Sequence, residues 1–240
     1  MFLVEKQTQK LARIGKRRLA FAFATLVGIL LPAVMRADTD TNLSDLLAVK
    51  QAAVDATNIF YPRAQSRKTV YGFEAGDNVA SAALGEPLRL YYIDEKDAQA
   101  YHRGQALDRI LQPSGQWFVP VMIRGTNRAM LGVVDNGQGK WVGSTFGMAV
   151  LARKWQNIQK WWPAAGNAAP ELIVCPPADG YFFTVPRIAP PNLTSLDDIP
   201  EAGHENGQVA AKPSLAPAEK TLAAIQKQLN SQLSAPPSNP

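Results

Sequence analysis

Two apolar, β-type runs at residues 117–124 and 128–134 give the clearest pattern in the sequence. They flank a Gly-Thr-Asn segment at 125–127, an arrangement typical of a β-hairpin. An Asn-Gly turn then leads to a further strand that begins at 140–143, so the three strands are predicted to form a meander. Because both alternating sets of positions in 117–124 are apolar, this strand is expected to lie inside the sheet, although Pro120 removes one backbone donor.

Four more extended runs are predicted as strands, at 69–73, 88–93, 171–175 and 181–185. Three segments have helical periodicity. The first is expected to end before Pro62 and to bury Leu43, Leu46, Leu47, Lys50, Ala53, Val54 and Thr57. The second opens at Asp94, and the third carries the apolar stripe Met148, Leu151, Trp155, Ile158 and Trp162.

The strands occur in adjacent runs rather than in strict alternation with helices. That order predicts an α+β fold with a largely antiparallel sheet, a central β-meander and two or three helices packed on one face. The predicted domain spans residues 38–187, which is long enough to bury a core without disulfides.

After Arg187 the composition shifts to Pro, Ala, Asn, Ser and Glu, so residues 188–240 are predicted to be a mostly disordered tail. One amphipathic helix is expected within it at 218–233, and an isolated helix of that length is marginal in water. It is therefore either a docking helix or a transient one. On this interpretation, deleting 188–240 leaves the thermal unfolding midpoint nearly unchanged, and a large drop would place the helix in the core.

Residues 19–35 form an uncharged apolar run behind a basic cluster at 1–18, which predicts a secretory signal or membrane anchor over 1–37. The run of 17 residues is longer than the usual signal h-region and at the short end of the range for a spanning helix, and Pro32 suits a cleavable signal. Cleavage and retention as an anchor both stay open. The chain after this segment is expected in the periplasm or outside the cell, or anchored in the inner membrane.

The net charge of +5 reflects the leading segment rather than the domain. Residues 1–37 hold 7 of the 25 Lys and Arg and 1 of the 20 Asp and Glu, so the rest has 18 basic and 19 acidic residues. The local basic group of Arg63, Arg67 and Lys68 is typical of a solvated face, so no nucleic-acid partner is predicted.

No catalytic, cofactor-binding or metal site is predicted. A structural zinc site needs about four Cys and His ligands, and this chain has only Cys175, His102 and His204. Cys175 with His102 would be a nucleophile–base pair, but a cysteine in an apolar strand is typically a buried hydrophobe. The acids Asp94, Glu95 and Asp97 would suit glycoside hydrolysis, yet at a helix start they are better explained as a cap.

The candidate partner surface consists of two tryptophans that lie off the buried stripes and of the apolar positions of the tail helix: Trp141, Trp161, Leu222, Ile225, Leu229 and Leu233.

Three function hypotheses follow. The first is an exported, non-enzymatic binding or interaction domain with a protein partner. The second is a bitopic subunit of an envelope or secretion complex, held in the membrane through 19–35. The third is an enzyme that uses Cys175 or the acids near Asp94. No cofactor is implied, and the oligomeric state stays open.

Overall fold

The computed structural model describes residues 43–164, 169–202 and 211–233. The contacts group these described residues into one compact unit. The predicted signal or anchor at 1–37 lies outside the described residues. Within the described ranges, none of the helices combines the length and the hydrophobicity that a membrane span requires.

The described residues form four α-helices and eight strands. The helices are α1 (Leu43–Ser66), α2 (Glu95–Ala100), α3 (Ala149–Trp161) and α4 (Ala218–Leu233). The strands are β1 (Ala83–Leu84), β2 (Leu88–Tyr92), β3 (Gln112–Ile123), β4 (Thr126–Asp135), β5 (Trp141–Gly147), β6 (Glu171–Cys175), β7 (Gly180–Thr184) and β8 (Thr194–Ser195).

All eight strands belong to one sheet, in the order β5-β4-β3-β2-β6-β7-β8, with β1 beside β2 on the edge of β3. Every pairing is antiparallel except that of β2 with β6, which is parallel. The predicted meander is β3-β4-β5, and β3 lies inside the sheet as its apolar faces indicated. The α+β prediction with a largely antiparallel sheet is confirmed.

Helices cover both faces of the sheet. On one face, α1 packs over Trp117, Val119 and Val121 of β3, and α2 and α4 pack beside it over β6 and β7. On the other face, α3 covers Phe118 and Met130. Three helices therefore share one face, and the amphipathic α3 closes the opposite one.

Helix α1 continues through Pro62, where the sequence predicted its end. A proline inside a helix removes one backbone hydrogen bond and normally breaks or kinks it. Here contacts from outside the helix hold the last turn. Ala64 is fully buried, and Oε1 of Gln65 accepts a hydrogen bond of 3.0 Å from the backbone N–H of Val79.

One other local prediction is wrong. Residues 68–71, which overlap the strand predicted at 69–73, form a 3₁₀ turn.

The boundary predicted at Arg187 is not where the described structure ends. Leu193, Leu196 and Ile199 are buried, and β8 adds an edge strand to the sheet. The backbone N–H of Ala218 donates to the carbonyl of Pro191 at 2.9 Å and so ties the start of α4 to this segment. The composition of the segment is that of a linker, but its few large apolar residues are placed in the core.

Candidate functional site

The outer face of α1 exposes several large apolar side chains. Leu43, Leu47 and Val54 lie on it with 68%, 59% and 50% of their surface exposed. The sequence predicted these three side chains to be buried. The face that packs on the sheet is made of Val49, Ala52, Ala53, Ala56 and Ala64.

Close packing explains why α1 turns its small residues inward. A Cβ atom placed on Gly143 of β5 would lie 2.3 Å from the Cβ of Ala56, so the helix sits directly on the sheet backbone. Phe60 adds a ring stacked on Phe146 at 5.3 Å between centroids. A leucine face would not fit at this distance. Leu43 and Leu47 are left on the solvent side, and Leu46 packs against the margin of the core.

A groove continues this surface toward the end of α1. It has a volume of about 600 Å³ and lies between α1 and the segment that leads into β1. Its lining residues are Val54, Thr57, Asn58, Tyr61, Pro62, Gln65, Ala80, Ala82 and Leu84. We call the face of Leu43, Leu47 and Val54 together with this groove the α1 surface.

The polar groups of the groove are largely used within the protein. The hydroxyl of Thr57 donates to the carbonyl of Val54 at 2.7 Å, and that of Tyr61 donates to the carbonyl of Ala82 at 3.3 Å. Burial raises the pKa of Tyr61 to about 12. The groove is therefore suited to apolar side chains of a partner rather than to a charged ligand.

The pKa of Tyr61 predicts a loss of stability in alkali. Its folded value of about 12 exceeds the ordinary 10.0, so its contribution is present below pH 10 and is lost as the pH rises toward 12. Tyr61→Phe is expected to make the free energy of unfolding depend less steeply on pH across this interval. Urea unfolding at a series of pH values measures the slope, and an unchanged slope in the variant would contradict the assignment.

Trp141 belongs to a packed aromatic cluster rather than to an isolated exposed patch. Its half-buried ring meets that of Trp117 edge-on, with centroids 6.5 Å apart. The guanidinium of Arg89 lies over the other indole, 5.7 Å from the centroid. Nε1 of Trp117 and Nε of Arg89 are buried without a hydrogen-bond partner in the described structure. Such donors are usually satisfied by ordered water.

Trp161 is also half-buried. Its ring packs edge-on against Trp162 at 5.9 Å, and Nζ of Lys212 donates to its carbonyl at 2.8 Å. The chain segment before α4 thus passes over this position and covers part of it. The structure does not bring Trp141 and Trp161 together, since one packs with the α1 side of the sheet and the other with the α3 side.

The tail-helix part of the predicted partner surface is corrected. Leu222 is 0% exposed and Ile225 and Leu229 are 4% exposed, because α4 packs against Ile93, Leu107 and Phe182. These side chains form part of the core and are not available to a partner. The side chain of Leu233 lies outside the described residues.

Cys175 is fully buried in the same cluster as Leu222. Burial raises the pKa of its thiol, which disfavours the thiolate that a nucleophile needs. His102 is exposed, and its backbone N–H donates to the side chain of Gln105. The thiol therefore has the environment of a packing residue.

The acids near Asp94 serve the local structure. Oδ1 of Asp94 accepts a hydrogen bond of 2.7 Å from the backbone N–H of Asp97, which caps α2 as the sequence predicted. Oδ2 of Asp97 accepts from Gln112, whose own Oε1 accepts from Tyr92. Among the described residues, no group of three or more His, Cys, Asp or Glu is placed to hold a metal ion.

The α1 surface is not predicted by side-chain size, because the larger apolar residues Leu43 and Leu47 would be expected on the inner face. The signal that identifies the inner face is the set of alanines at 52, 53 and 56, which permits contact with Gly143. In comparisons with known proteins, the chain matches no family model, no curated protein and no solved structure.

Proposed function

We propose that this chain is an exported, non-enzymatic interaction domain that acts in the periplasm or outside the cell and binds a protein through the α1 surface. The observation that carries the proposal is the exposure of Leu43, Leu47 and Val54 in line with an open groove. Exposed apolar side chains beside an open groove are a common feature of interaction sites. The basic cluster before the apolar run 19–35 supports export.

The chemistry of the other candidates supports a binding role rather than an enzymatic one. The buried thiol of Cys175 is held in its protonated form, and Asp94 and Asp97 are engaged in capping and in a hydrogen bond to Gln112. In contrast, Leu43, Leu47 and Val54 of the α1 surface are exposed and do not belong to the buried core.

A bitopic subunit of an envelope complex is the second candidate, and the length of the apolar run, 17 residues, favours it. In that case residues 19–35 stay in the membrane and the same α1 surface faces the partner. The intact mass of the protein in fractionated cells separates the two. A mass that begins near Asp38 in the soluble fraction supports a free domain, and a full-length mass that stays in the membrane fraction after a high-salt wash supports an anchored subunit.

Cysteine labelling tests both export and the use of the α1 surface. Val54→Cys puts a thiol on the surface, and Val150→Cys provides a matched control on α3, since the two valines are 50% and 48% exposed. A membrane-impermeant maleimide is added to cells whose cytoplasmic membrane is intact. Wild-type protein controls for Cys175, which is buried and is expected to stay unlabelled.

The labelling rate of each variant is divided by its rate in urea, where the thiol is fully accessible. We expect Val150→Cys to be labelled without lysis. We expect the normalised labelling rate of Val54→Cys to be at least about fivefold lower. A covered site protects its thiol because the reagent reaches it only when the partner leaves. Labelling of both variants only after lysis would overturn export. Equal normalised rates for the two variants would overturn the proposed binding surface.

A further inference from the structure

The groove of the α1 surface lies along an edge of the sheet. Among the described strands β1 pairs with β3 alone, so its other edge has no strand beside it. The backbone N–H of Gly85 donates to the carbonyl of Pro120 in β3 at 2.7 Å. Because the direction of the backbone groups alternates along an antiparallel strand, the N–H and the C=O of Leu84 point away from β3. The outer edge of β1 therefore presents one donor and one acceptor.

Helix α1 runs along this outer edge. Ala82 is extended and lies two residues before Leu84, so its carbonyl points in the same outward direction. The hydroxyl of Tyr61 in α1 donates to that carbonyl at 3.3 Å. On this side the groove is lined by Ala80, Ala82 and Leu84, which alternate as side chains on one face of a strand do. The groove is therefore bounded by a helix on one side and by a strand edge on the other.

The length of the groove suits a short stretch of extended chain. At one end Tyr61 contacts the strand edge, and at the other Nζ of Lys50 lies 2.7 Å from the carboxylate of Glu86. Val54 and Leu84 line the groove between these two contacts. Lys50 and Tyr61 are eleven residues apart, about 16 Å along the helix, which is the length of about five residues of a strand.

We infer that the occupant of the groove is an extended, uncharged segment of a partner protein, which adds as a strand to the outer edge of β1. This inference rests on the proposed function, which assigns the α1 surface to protein binding. Strand addition at a sheet edge is a recurrent mode of peptide recognition. An extended segment has backbone groups available for Leu84, whereas a helix uses its own groups internally. Two hydrogen bonds contribute modestly, so the affinity comes mainly from side chains in the groove.

The charges around the groove specify the chemistry of the segment. The residues that line the groove are all uncharged. At its end, Lys50 and Glu86 form an ion pair and compensate each other's charge. A charged side chain of the partner would lose water in the groove without gaining an opposite charge. The volume of about 600 Å³ instead suits apolar side chains at alternate positions of the segment, such as valine or leucine.

A proline at position 84 tests the inference in host cells, with the occupant that is present there. Leu84→Pro removes the outward N–H and leaves the groups that pair β1 with β3, whereas Leu84→Val shortens the side chain similarly and keeps the N–H. Each is combined with Val54→Cys, which lies in the same groove and whose normalised labelling rate reports its occupancy. We expect Leu84→Pro to bring this rate to within about twofold of that of Val150→Cys. We expect Leu84→Val to keep at least about threefold protection.

Thermal unfolding of the purified variants controls for the fold, and we expect similar midpoints for Leu84→Pro and Leu84→Val. If Leu84→Pro shows no cooperative transition, the α-hydroxy analogue of leucine is incorporated at position 84 instead. The resulting ester lacks the same N–H and keeps the leucine side chain. The expected loss of protection is the same.

Each other result overturns a stated part of the proposal. Protection that survives in Leu84→Pro, or that is lost equally in Leu84→Val, overturns strand addition and leaves the proposed function intact. In the purified full chain we expect Val54→Cys and Val150→Cys to be labelled at equal normalised rates. Protection that persists there would show that this chain supplies the occupant itself, and would overturn a partner protein. If Val54→Cys is not protected in cells even with Leu84 unchanged, both proposals fail.

Discussion

Ending the chain at Pro217 is expected to destabilise the whole domain. The truncation removes Leu222, Ile225 and Leu229 from a buried cluster that also contains residues of α2, β6 and β7. It also removes the side-chain amide of Gln226, which donates to the carbonyls of Ala98 and Tyr101 at 2.9 and 3.1 Å. We expect the truncated chain to show no cooperative thermal transition, or one that is lower by tens of degrees, in circular dichroism.

A single substitution in α4 tests the same contribution to stability with a smaller perturbation. Leu222→Ala removes a fully buried side chain, which costs about 2–5 kcal/mol and lowers the midpoint of a domain of this size by about 4–20 °C. Lys227→Ala, on the exposed side of α4, is the matched control and is expected to change the midpoint little. If the Leu222→Ala protein is as stable as the control, α4 does not contribute to the core, as the sequence predicted for the segment after Arg187.

Gly143→Ala is expected to have the second largest effect. The added methyl group would lie 2.3 Å from the Cβ of Ala56, and both atoms are fixed to backbone. Overpacking of this kind costs about 1–3 kcal/mol, and a contact that no side-chain rotation can relieve belongs at the upper end. Urea unfolding is expected to show the loss as a lower midpoint with an unchanged slope.

A double-mutant cycle identifies the cause. Ala56→Gly removes the opposing methyl at a cost of about 1 kcal/mol in a helix interior, so the double variant should be less destabilised than the sum of the two single ones. Gly115→Ala, on β3, has open space with the nearest atom at 3.9 Å and is expected to be close to neutral. Additive effects in the cycle would mean that α1 does not lie this close to β5, and the orientation of its exposed leucines would be wrong as well.

The central part of the fold could be predicted from the sequence because each element there has a clear local sequence pattern. The apolar runs at 117–124 and 128–134 with a turn between them determine a hairpin, whatever surrounds it. The alternating faces of β3 pointed to a strand covered on both sides, and the structure covers one side with α1 and the other with α3.

The errors occur where a distant contact overrides a local preference. Pro62 predicts the end of a helix, but residues 61–66 are held from outside through Gln65 and Ala64. The composition after Arg187 is that of a linker, yet Leu193, Leu196 and Ile199 are enough to fix the segment against the sheet. Composition averages over residues, whereas burial depends on a few of them.

The same reason limited the prediction of which face of α1 is exposed. A helix with two apolar stripes offers two choices of inner face, and side-chain size favours the stripe with leucines. The decision depends on Gly143, about 87 positions from Ala56 along the chain, whose missing side chain admits only small neighbours. No periodicity within the helix contains that information.

The attachment of α4 has a consequence for the order in which the chain folds. The amide of Gln226 reaches back across more than 120 residues to Ala98 and Tyr101, and Thr221 is bonded to the carbonyl of Leu193. Synthesis from the amino end therefore delivers α4 only after all the other helices and strands described here have been made. Contacts of such long sequence separation form slowly, because the intervening loop must close first. The cluster of α2, β6 and β7 therefore stays incomplete until α4 has been synthesised and has closed over it.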